Sequence, residues 1–353
     1  MNILIYLAHP SHYYVFRHVS HVLRQEGNTI HTVIKTKDIL EDLVRRDGMS
    51  YINVSQIRRK NSFLNIALDV ILRNIKVLRI LRRKKIDAVL TCGSDIAISA
   101  KMLNIPFFLF NDDDYYIVPK SATYGWPFVT KVFAPVGCDM GKYEQKTVHY
   151  NGFQKSFYLQ DNVFVPNQDI VRKVIEDSNY YIIRLVGLDA HHDKNIKGIN
   201  ERVLDKILQI LTPHGKVLIS SEKNLPLKYK DYIYKINPSE MHQFIYYSRL
   251  LIGDSQSMVH EAALLGTPSI RYNSFVGKIG VLELLEKEYS LTIGIKSGEE
   301  NQLLESIKCI LATDDYKDRI RGKLAQAKIK MIDVNEFAIE YIKKYLATSG
   351  SAP

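Results

Sequence analysis

The sequence is poor in cysteine and lacks any long hydrophobic run. Its three cysteines, Cys92, Cys138 and Cys309, stand far apart among 353 residues, without the spacing of a disulfide framework or a zinc site. No window approaches the roughly 20 apolar residues that a membrane-spanning helix needs. The N-terminus has no basic leader and passes from an apolar segment directly into a turn, unlike a signal peptide. We therefore expect a cytoplasmic protein without a structural metal.

Positive charge is concentrated in the first part of the chain. Residues 1–150 contain 21 Lys and Arg against 13 Asp and Glu, whereas the remaining residues contain 27 against 25. Much of the excess lies in Arg58–Lys85, where apolar residues recur with a helical period and basic residues such as Arg73, Arg79 and Arg82 flank them. Two interpretations stay open: an amphipathic helix at an anionic membrane surface, or a core-packed helix with a solvated basic side. The chain shows no nucleic-acid-binding module, so we expect no nucleic-acid partner.

Short apolar strands alternate with amphipathic helices, and a polar, aromatic bridge over Tyr143–Leu159 separates two such series. The strands end in polar clusters at 9–12, 93–95, 111–114, 187–193, 220–222 and 253–257. Parallel α/β sheets bind ligands beyond the carboxyl ends of their strands. We predict two Rossmann-like domains, residues 1–150 and 151–330. A helix over 331–348 would cross back to the first domain, and 349–353 would be a disordered tail.

One motif carries the strongest functional signal. The segment Leu250–Ile270 has the pattern of a strand, a turn, a helix, Gly-Thr-Pro and a second strand. The predicted helix starts with Ser255, Gln256, Ser257 and Met258. Backbone N–H groups at a helix start have no partner within the helix, and the helix dipole is positive there, so this end suits a phosphate. Glu261 would reach the hydroxyl groups of a ribose from the second turn. A strand, turn and helix with Ser caps and no ligand is the alternative.

These features resemble the GT-B architecture of glycosyltransferases and UDP-N-acetylglucosamine 2-epimerases. The segment Gly253–Ala262 is similar to the epimerase signature Asp-Ser-Gly-Gly-Ile-Gln-Glu-Glu-Ala. The chain also resembles a GT-B-like family found in bacterial surface-polysaccharide clusters and in archaea. The residues that carry this second resemblance are His9-Pro-Ser-His12, Phe110-Asn-Asp112, Tyr150-Asn-Gly-Phe153, and Asp254-Ser-Gln-Ser-Met258 with Glu261–Pro268. It covers nearly the whole chain and implies a nucleotide-sugar site in a cleft between an acceptor-side first domain and a nucleotide-binding second domain.

Two departures from the epimerase pattern weaken strict equivalence. The Gly-Gly of the signature is here Gln256-Ser257, and its first Glu is His260. The epimerases also have a Gly-Thr-Arg-Pro-Glu turn after the first strand, where this chain has Ala8–His12. Because that Arg meets the nucleotide in the epimerases, its absence argues against the same nucleotide contact here.

The resemblance also assigns roles in the first domain. Inverting GT-B transferases use a His or Asp there to take the proton of the acceptor hydroxyl. His12, or His9, lies at the first strand–helix turn, and the ordinary pKa of imidazole suits a base near neutral pH. Asp95 would act as base or orient one. The alternative is that His12 caps the helix or binds the acceptor.

Asp112 opens a triplet of carboxylates, a residue type that suits Mg²⁺. GT-B enzymes, however, generally stabilise the leaving diphosphate with helix ends and cationic side chains. The resemblance therefore implies that Asp112 contacts the substrate, and that the reaction needs no metal and no other cofactor.

The second domain contains the remaining candidates. The polar loop after the strand Tyr180–Leu185 carries Asp189, His191, His192 and Lys194 and resembles the His-Arg-Arg-Glu-Asn run of the epimerases. The resemblance implies a catalytic His191, with its neighbours stabilising the departing phosphate; a solvated loop is the alternative. Ser220, Glu222, Arg271 and Asn273 complete the predicted substrate-binding set.

Three functions stay open, because a fold does not dictate a reaction. We predict a glycosyltransferase that moves a sugar from a nucleotide-sugar donor to a lipid-linked or polysaccharide acceptor in surface glycan synthesis. The segment Arg58–Lys85 would hold it at the inner face of the membrane. The first alternative is a nucleotide-sugar 2-epimerase working by elimination and re-addition. The second is a non-catalytic nucleotide-sugar-binding protein.

Overall fold

Two parallel sheets organise the chain into two units. The computed structural model describes residues 1–37, 39–55, 63–176, 179–187, 198–234 and 236–349. Unit 1 comprises Met1–Val163 and Ile332–Pro353, and unit 2 comprises Phe164–Met331. No helix in the described ranges combines the length and the apolar character that a bilayer crossing demands.

Unit 1 contains a seven-stranded parallel sheet. Its strands are β1 (Asn2–Leu7), β2 (Thr29–Lys35), β3 (Tyr51–Ser55), β4 (Ala88–Thr91), β5 (Phe107–Phe110), β6 (Lys131–Pro135) and β7 (Thr147–Tyr150). They lie in the order β3-β2-β1-β4-β5-β6-β7. The central strands are buried along their whole length, as in β4 and β5, because helices cover both faces of a doubly wound sheet. This is why they form continuous apolar runs instead of alternating patterns.

In the described ranges of unit 1 before Val163, six helices and two 3₁₀ helices surround this sheet. The helices are α1 (Pro10–Gln25), α2 (Leu40–Arg46), α3 (Phe63–Arg83), α4 (Ala97–Lys101), α5 (Pro119–Tyr124) and α6 (Ser156–Leu159), and the 3₁₀ helices are Trp126–Phe128 and Gly141–Lys146. The predicted basic segment Arg58–Lys85 is therefore a helix from Phe63 onward, and its residues 58–62 lie outside the described ranges.

Unit 2 contains a five-stranded parallel sheet in the order β12-β11-β10-β8-β9. The strands are β8 (Tyr180–Leu185), β9 (Lys216–Ser221), β10 (Leu250–Gly253), β11 (Ser269–Tyr272) and β12 (Ile293–Ile295). The helices are α7 (Gln168–Arg172), α8 (Glu201–Leu211), α9 (Met241–Tyr247), α10 (Gln256–Leu264), α11 (Gly280–Glu283), α12 (Glu300–Leu311) and α13 (Tyr316–Lys330). Short 3₁₀ helices span Thr212–His214, Leu227–Tyr232 and Pro238–Glu240, and a π-helix spans Leu284–Glu288. Strand residues such as Ile183 and Ile252 pack with Leu204 and Ile207 of α8 in its core.

The last helix, α14 (Val334–Ser349), belongs to unit 1. Its Tyr341 ring lies edge-on to Phe133, with ring centres 5.2 Å apart, and its Asn335 amide donates to the backbone oxygen of Phe157 at 3.1 Å. The predicted return of the final helix to the first domain and the two Rossmann-like domains are thereby confirmed. Beyond Ser349, the predicted tail lies outside the described residues.

The segment Tyr143–Leu159 is part of unit 1 and not a bridge between domains. Its strand β7 pairs with β6, and its helix α6 packs on α1, with the rings of Tyr158 and Tyr14 5.5 Å apart. Because β7 lies at the sheet edge, three of its four residues are partly exposed, and its sequence lacks the apolar run of the inner strands. Unit 1 consequently continues to Val163, beyond residue 150 where the sequence places the domain boundary.

The strand order reverses once in each sheet. In unit 1 the connections run outward in opposite directions from β1 and β4, and in unit 2 from β8 and β10. Ligands of doubly wound sheets bind at the carboxyl ends of strands at such a switch point. The loops that follow these four strands therefore define where a site is expected in each unit.

Candidate functional site

The first predicted residues follow β1, at the switch point of unit 1. His9 caps α1, since its Nδ1 accepts from the Ser11 N–H at 3.2 Å and lies 2.8 Å from the Ser11 hydroxyl. Pro10 opens the helix, where its missing N–H costs nothing. The capping role that the sequence allowed for His12 thus belongs to His9.

His12 is held as a neutral hydrogen-bond donor. Its Nδ1 accepts from the Ala8 N–H at 3.2 Å, so the neutral ring carries its proton on Nε2. Burial of the ring, followed by the charges of His9 and Lys37, lowers the pKa of His12 to about 3. This tautomer disfavours the predicted role of His12 as catalytic base, because a base at Nδ1 would first have to give up the Ala8 contact. The ring can instead donate from Nε2 to a substrate oxygen.

Asp95 follows β4 and lies close to His12. Its Oδ2 accepts from the Tyr6 hydroxyl at 3.2 Å and from Arg73 at 3.2 Å. Its Oδ1 has no hydrogen-bond partner among the described residues. A Cβ built on Gly93 would lie 3.4 Å from both Asp95 Oδ1 and His12 Cε1. The two predicted residues therefore border the same small space beside Gly93, and the Asp95 Oδ1 next to this space is buried.

Arg73 holds this carboxylate in place, contrary to the predicted position of Arg73 on a solvated flank. Its side chain is 2% exposed and pairs with both Asp69 and Asp95 at 3.2 Å. Asn74, the next residue of α3, donates to the backbone oxygen of Asp95 at 2.9 Å. Lys35 lies 3.6 Å from the same carboxylate. The spacing of Asp69 and Arg73 indicates a helical ion pair, but nothing in the sequence shows that this pair is buried.

The three consecutive carboxylates after β5 have different surroundings. Asp112 pairs with Lys155 at 2.9 Å. Burial, and then the neighbouring Asp112, raises the pKa of Asp113 to about 7, which makes Asp113 an acid that exchanges its proton near neutral pH. Asp114 accepts from the Asp139 N–H at 2.7 Å and closes the loop. Within the described ranges, no group of three or more His, Cys, Asp or Glu side chains is arranged to hold a metal ion.

Lys155 is a candidate that sequence reasoning missed. It follows β7, is only 8% exposed and carries its ammonium to Asp112. The adjacent Gln154 amide lies 3.7 Å from the Cys92 sulfur. The Tyr150 hydroxyl is buried without a hydrogen-bond partner among the described residues. The motif Tyr150-Asn-Gly-Phe153, on which the family resemblance partly rests, was the available signal for this side of the site.

In unit 2, Asp254 lies at the switch point, directly after β10. Its carboxylate accepts from the Val186 N–H at 2.8 Å and from the Ile199 N–H at 3.3 Å. Gly198 is required beside it, since a Cβ there would lie 2.4 Å from Asp254 Oδ2. The carboxylate thus anchors both ends of the connection from β8 to α8. The predicted residues on that connection, Asp189, His191, His192 and Lys194, lie outside the described residues.

Helix α10 begins where the sequence predicts, and one of its first backbone N–H groups already has an acceptor within the chain. Ser255 is the N-cap, and its hydroxyl accepts from the Met258 N–H at 3.3 Å. The N–H groups of Gln256 and Ser257 stand at the helix start, where helix geometry supplies no acceptor. Ser257 is exposed, and Gln256 and Met258 are partly exposed, so an anion can approach this end. The arrangement keeps two backbone donors and the positive end of the helix dipole for a phosphate.

Arg271 and Asn273 have structural partners. Arg271 is fully buried and pairs with Glu286 at 2.6 Å and Glu283 at 3.4 Å, while it also donates to the Gln256 side chain at 2.8 Å. The Asn273 amide donates to the backbone oxygen of Asp254 at 3.1 Å. Arg271 and Asn273 were predicted to contact the diphosphate. Their side chains instead fix the ends of β10 and β11, and we do not include them in the proposed site.

Ser220 and Glu222 come together at the end of β9 through a residue that the sequence did not single out. Arg184 of β8 donates to the Ser220 hydroxyl at 2.8 Å and forms an ion pair with Glu222. Glu222 also accepts from the Gly187 N–H at 3.2 Å. An Arg inside an otherwise apolar strand was the only sequence signal. The three side chains line the carboxyl ends of two adjacent strands, β8 and β9.

Glu261 projects from the second turn of α10 and meets His242 of α9. The carboxylate lies 3.4 Å from His242 Nε2, and both side chains are only slightly exposed, at 13% and 12%. The pair brings one acceptor and one imidazole to the side of the helix start. His242 is the third residue, after Lys155 and Arg184, that the sequence did not single out.

Comparison with known proteins establishes the fold class. No protein-family model matches the sequence, and no curated protein matches it. Solved structures do match: MnaA of S. aureus with UDP has 14% sequence identity and a TM-score of 0.69, covering 100% of this chain and 98% of that one. UDP-GlcNAc 2-epimerase from Neisseria meningitidis bound to UDP-GlcNAc has 14% identity and a TM-score of 0.66, covering 99% and 100%. MurG of Acinetobacter baumannii has 11% identity and a TM-score of 0.61, covering 98% and 100%. The fold of this chain is therefore the GT-B fold.

Proposed function

We propose that the protein is an enzyme that acts on a nucleotide sugar. The observation that carries this proposal is the open start of α10, where the Gln256 and Ser257 amides face an accessible end and Glu261 follows one turn later. A diphosphate would accept hydrogen bonds from these amides, and the Glu261 carboxylate would accept from ribose hydroxyl groups. Similar folds crystallised with UDP or UDP-GlcNAc support this assignment.

The reaction that we favour is transfer of the sugar to an acceptor hydroxyl. Asp95 Oδ1 takes the acceptor proton, the acceptor oxygen bonds to the anomeric carbon, and the nucleoside diphosphate leaves with the electron pair of the broken bond. His12 donates from Nε2 to a substrate oxygen, and Lys155 and Asp112 hold polar groups of the sugar or acceptor. A lipid-linked or polysaccharide acceptor in surface glycan synthesis remains the predicted class, and we expect donor binding to persist in EDTA.

Epimerisation at C2 of the sugar is the second candidate function. It is favoured by the structural neighbours, several of which are UDP-GlcNAc 2-epimerases, and by the pair Asp112 and Asp113. In this reaction one carboxylate removes the C2 proton as the nucleoside diphosphate leaves C1. A proton then adds to the opposite face of C2 while a diphosphate oxygen bonds again to C1, which gives the product inverted at C2. The raised pKa of Asp113, to about 7, suits a group that exchanges protons at neutral pH.

One experiment separates these reactions. The protein is incubated with UDP-GlcNAc in D₂O, with and without membrane glycolipid, and followed by proton NMR. A transferase releases UDP only with acceptor and leaves the C2 proton in place. An epimerase exchanges the C2 proton for deuterium without acceptor. Binding without either change would support the non-catalytic alternative and contradict both reactions.

Glu261 provides a test of nucleotide binding itself. We expect Glu261→Ala to weaken UDP binding about ten- to a hundredfold, because a carboxylate that accepts from hydroxyl groups contributes roughly 1.5–3 kcal/mol. Isothermal titration calorimetry measures the change. Glu305→Ala, on the exposed face of α12, is the control and should bind like the parent protein. Equal affinity of both variants would remove Glu261 from the site.

A further inference from the structure

Helix α3 carries an apolar surface that the described residues of unit 1 leave exposed. Leu68, Ile71, Leu72 and Ile75 are 53%, 56%, 41% and 40% exposed. At 3.6 residues per turn these four positions share one side of the helix. The opposite side holds the buried Val77 and Leu81. The apolar stripe predicted for a core-packed helix is therefore split, and half of it faces outward.

Basic residues continue the same outer side toward the end of α3. Arg79, Arg82 and Arg83 are exposed, and none of them forms an ion pair with another residue of the described ranges. Before the apolar stripe, the sequence places Arg58, Arg59 and Lys60. Along the chain, the four apolar residues thus lie between two groups of cations.

The neighbouring helix α4 and its C-cap residue also expose apolar side chains. It is fixed to α3 by the Ser99 hydroxyl, which donates to the backbone oxygen of Asn74 at 3.0 Å. Its Ile98 and Met102 are 44% and 65% exposed. Exposed apolar side chains on two adjoining helices exceed what isolated surface residues explain and indicate an interaction surface.

We infer that the outer side of α3 docks on an anionic lipid surface. The apolar residues Leu68, Ile71, Leu72 and Ile75 enter the boundary between head groups and acyl chains, and the arginines that follow bind the anionic head groups. Charge favours lipid over a second copy of this chain, since the formal net charge is +10 and two such arginine groups would repel each other. Docking in this way is compatible with either reaction above.

The inner side of α3 contacts a residue of the candidate site. Arg73 and Asn74, on the side that faces the sheet, both bind Asp95. A helix that lies on lipid with one side therefore positions a predicted catalytic carboxylate with the other. A lipid-linked acceptor would be delivered to the unit that carries Asp95.

Vesicle flotation of the full chain tests this inference. Vesicles of phosphatidylcholine alone are compared with vesicles that also contain about 30% of the anionic lipid phosphatidylglycerol. We expect binding to the anionic vesicles only, weakening as NaCl is raised because exposed charges are screened. The triple variant R79Q/R82Q/R83Q should bind about a hundredfold more weakly, since each cation near an anionic surface contributes about a factor of five. The double variant I71S/I75S should lose at least about tenfold through its apolar contacts alone.

Matched controls keep the result interpretable. Leu227→Ser and Ile329→Ser remove exposed apolar residues of unit 2 and should bind like the parent, and UDP titration of each variant shows that its nucleotide site is intact. Failure of the parent to bind anionic vesicles, or equal binding by the α3 variants, overturns the inference. A lipid-free dimer that R79Q/R82Q/R83Q leaves intact and I71S/I75S dissociates would also overturn it, in favour of self-association.

Discussion

Charged side chains near β1 and β4 hold one another, so single changes there have large effects. Arg73 is the only link between Asp69 and Asp95 among the described contacts. We expect Arg73→Met to destabilise unit 1 by about 3–5 kcal/mol, because Asp69 and Asp95, both partly buried, lose the buried cation that they share. Arg79→Met, on the exposed side, should change stability by less than about 0.5 kcal/mol. The single tryptophan, Trp126, lies buried in unit 1, so urea unfolding followed by its fluorescence measures this unit. Similar midpoints for both variants would contradict the structural role of Arg73.

The raised pKa of Asp113 predicts how the free energy of unfolding of unit 1 depends on pH. Its pKa is raised from 3.8 to about 7 in the folded chain, so the folded state binds more protons than the unfolded state between these values. Stability should therefore fall as pH rises from about 4 to 7, by at most about 1.4 kcal/mol per pH unit from this group. Asp113→Asn should flatten the profile over that range in fluorescence-detected unfolding. A profile that keeps the full slope in the variant would show that Asp113 is not the group responsible.

For single residues, the sequence predicts which polar side chains follow a strand, but it does not predict which groups they bind. The strand-end positions of His12, Asp95 and Asp112 follow from the alternation of strands and turns. The Ala8 contact that sets the tautomer of His12, and the burial of Arg73 and Arg271, depend on three-dimensional packing that no local pattern encodes. Arg271 shows the difference clearly: its place after a strand suggested a ligand, while Glu283 and Glu286 of a later helical segment neutralise it.

Among the elements, α10 depends on its cap. Ser255→Ala should cost about 1 kcal/mol, because the Met258 N–H loses its acceptor at a largely buried position. Ser257→Ala, at an exposed position of the first turn, should be nearly neutral. Hydrogen exchange of the α10 amides at several urea concentrations measures the difference. If the two variants exchange at the same rate, the hydroxyl of Ser255 does not stabilise the helix start.

Elements with strong patterns are the ones that the sequence predicts well. The inner strands β1, β8 and β10 have clear apolar signals and occur where expected. The sequence gives no comparable signal for the edge strands β3, β7 and β12, since edge strands bury less of their surface and are short. This is also why the boundary of unit 1 was placed too early: β7 resembles a polar connection.

For the whole molecule, α14 is expected to complete unit 1. Its Val334, Ala338 and Ile342 are fully buried, and its Tyr345 ring lies edge-on to Phe108, with ring centres 5.3 Å apart. Each large apolar side chain contributes roughly 1.5–3 kcal/mol, so their loss matches the stability of a typical domain. A chain ending at Met331 should therefore lose native Trp126 fluorescence while the amides of β10 stay protected from hydrogen exchange. Native fluorescence in the shortened chain would show that unit 1 does not need the helix.

The return of α14 also sets the order in which the molecule matures during translation. All of unit 2 is synthesised before Ile332–Pro353, the second segment of unit 1. Unit 2 can thus begin to form its core while unit 1 still lacks α14, the reverse of the usual order from the N-terminus. Phe108 and Phe133, which α14 covers in the folded chain, stay uncovered until that helix has emerged, and this is the period in which unit 1 most needs protection by chaperones.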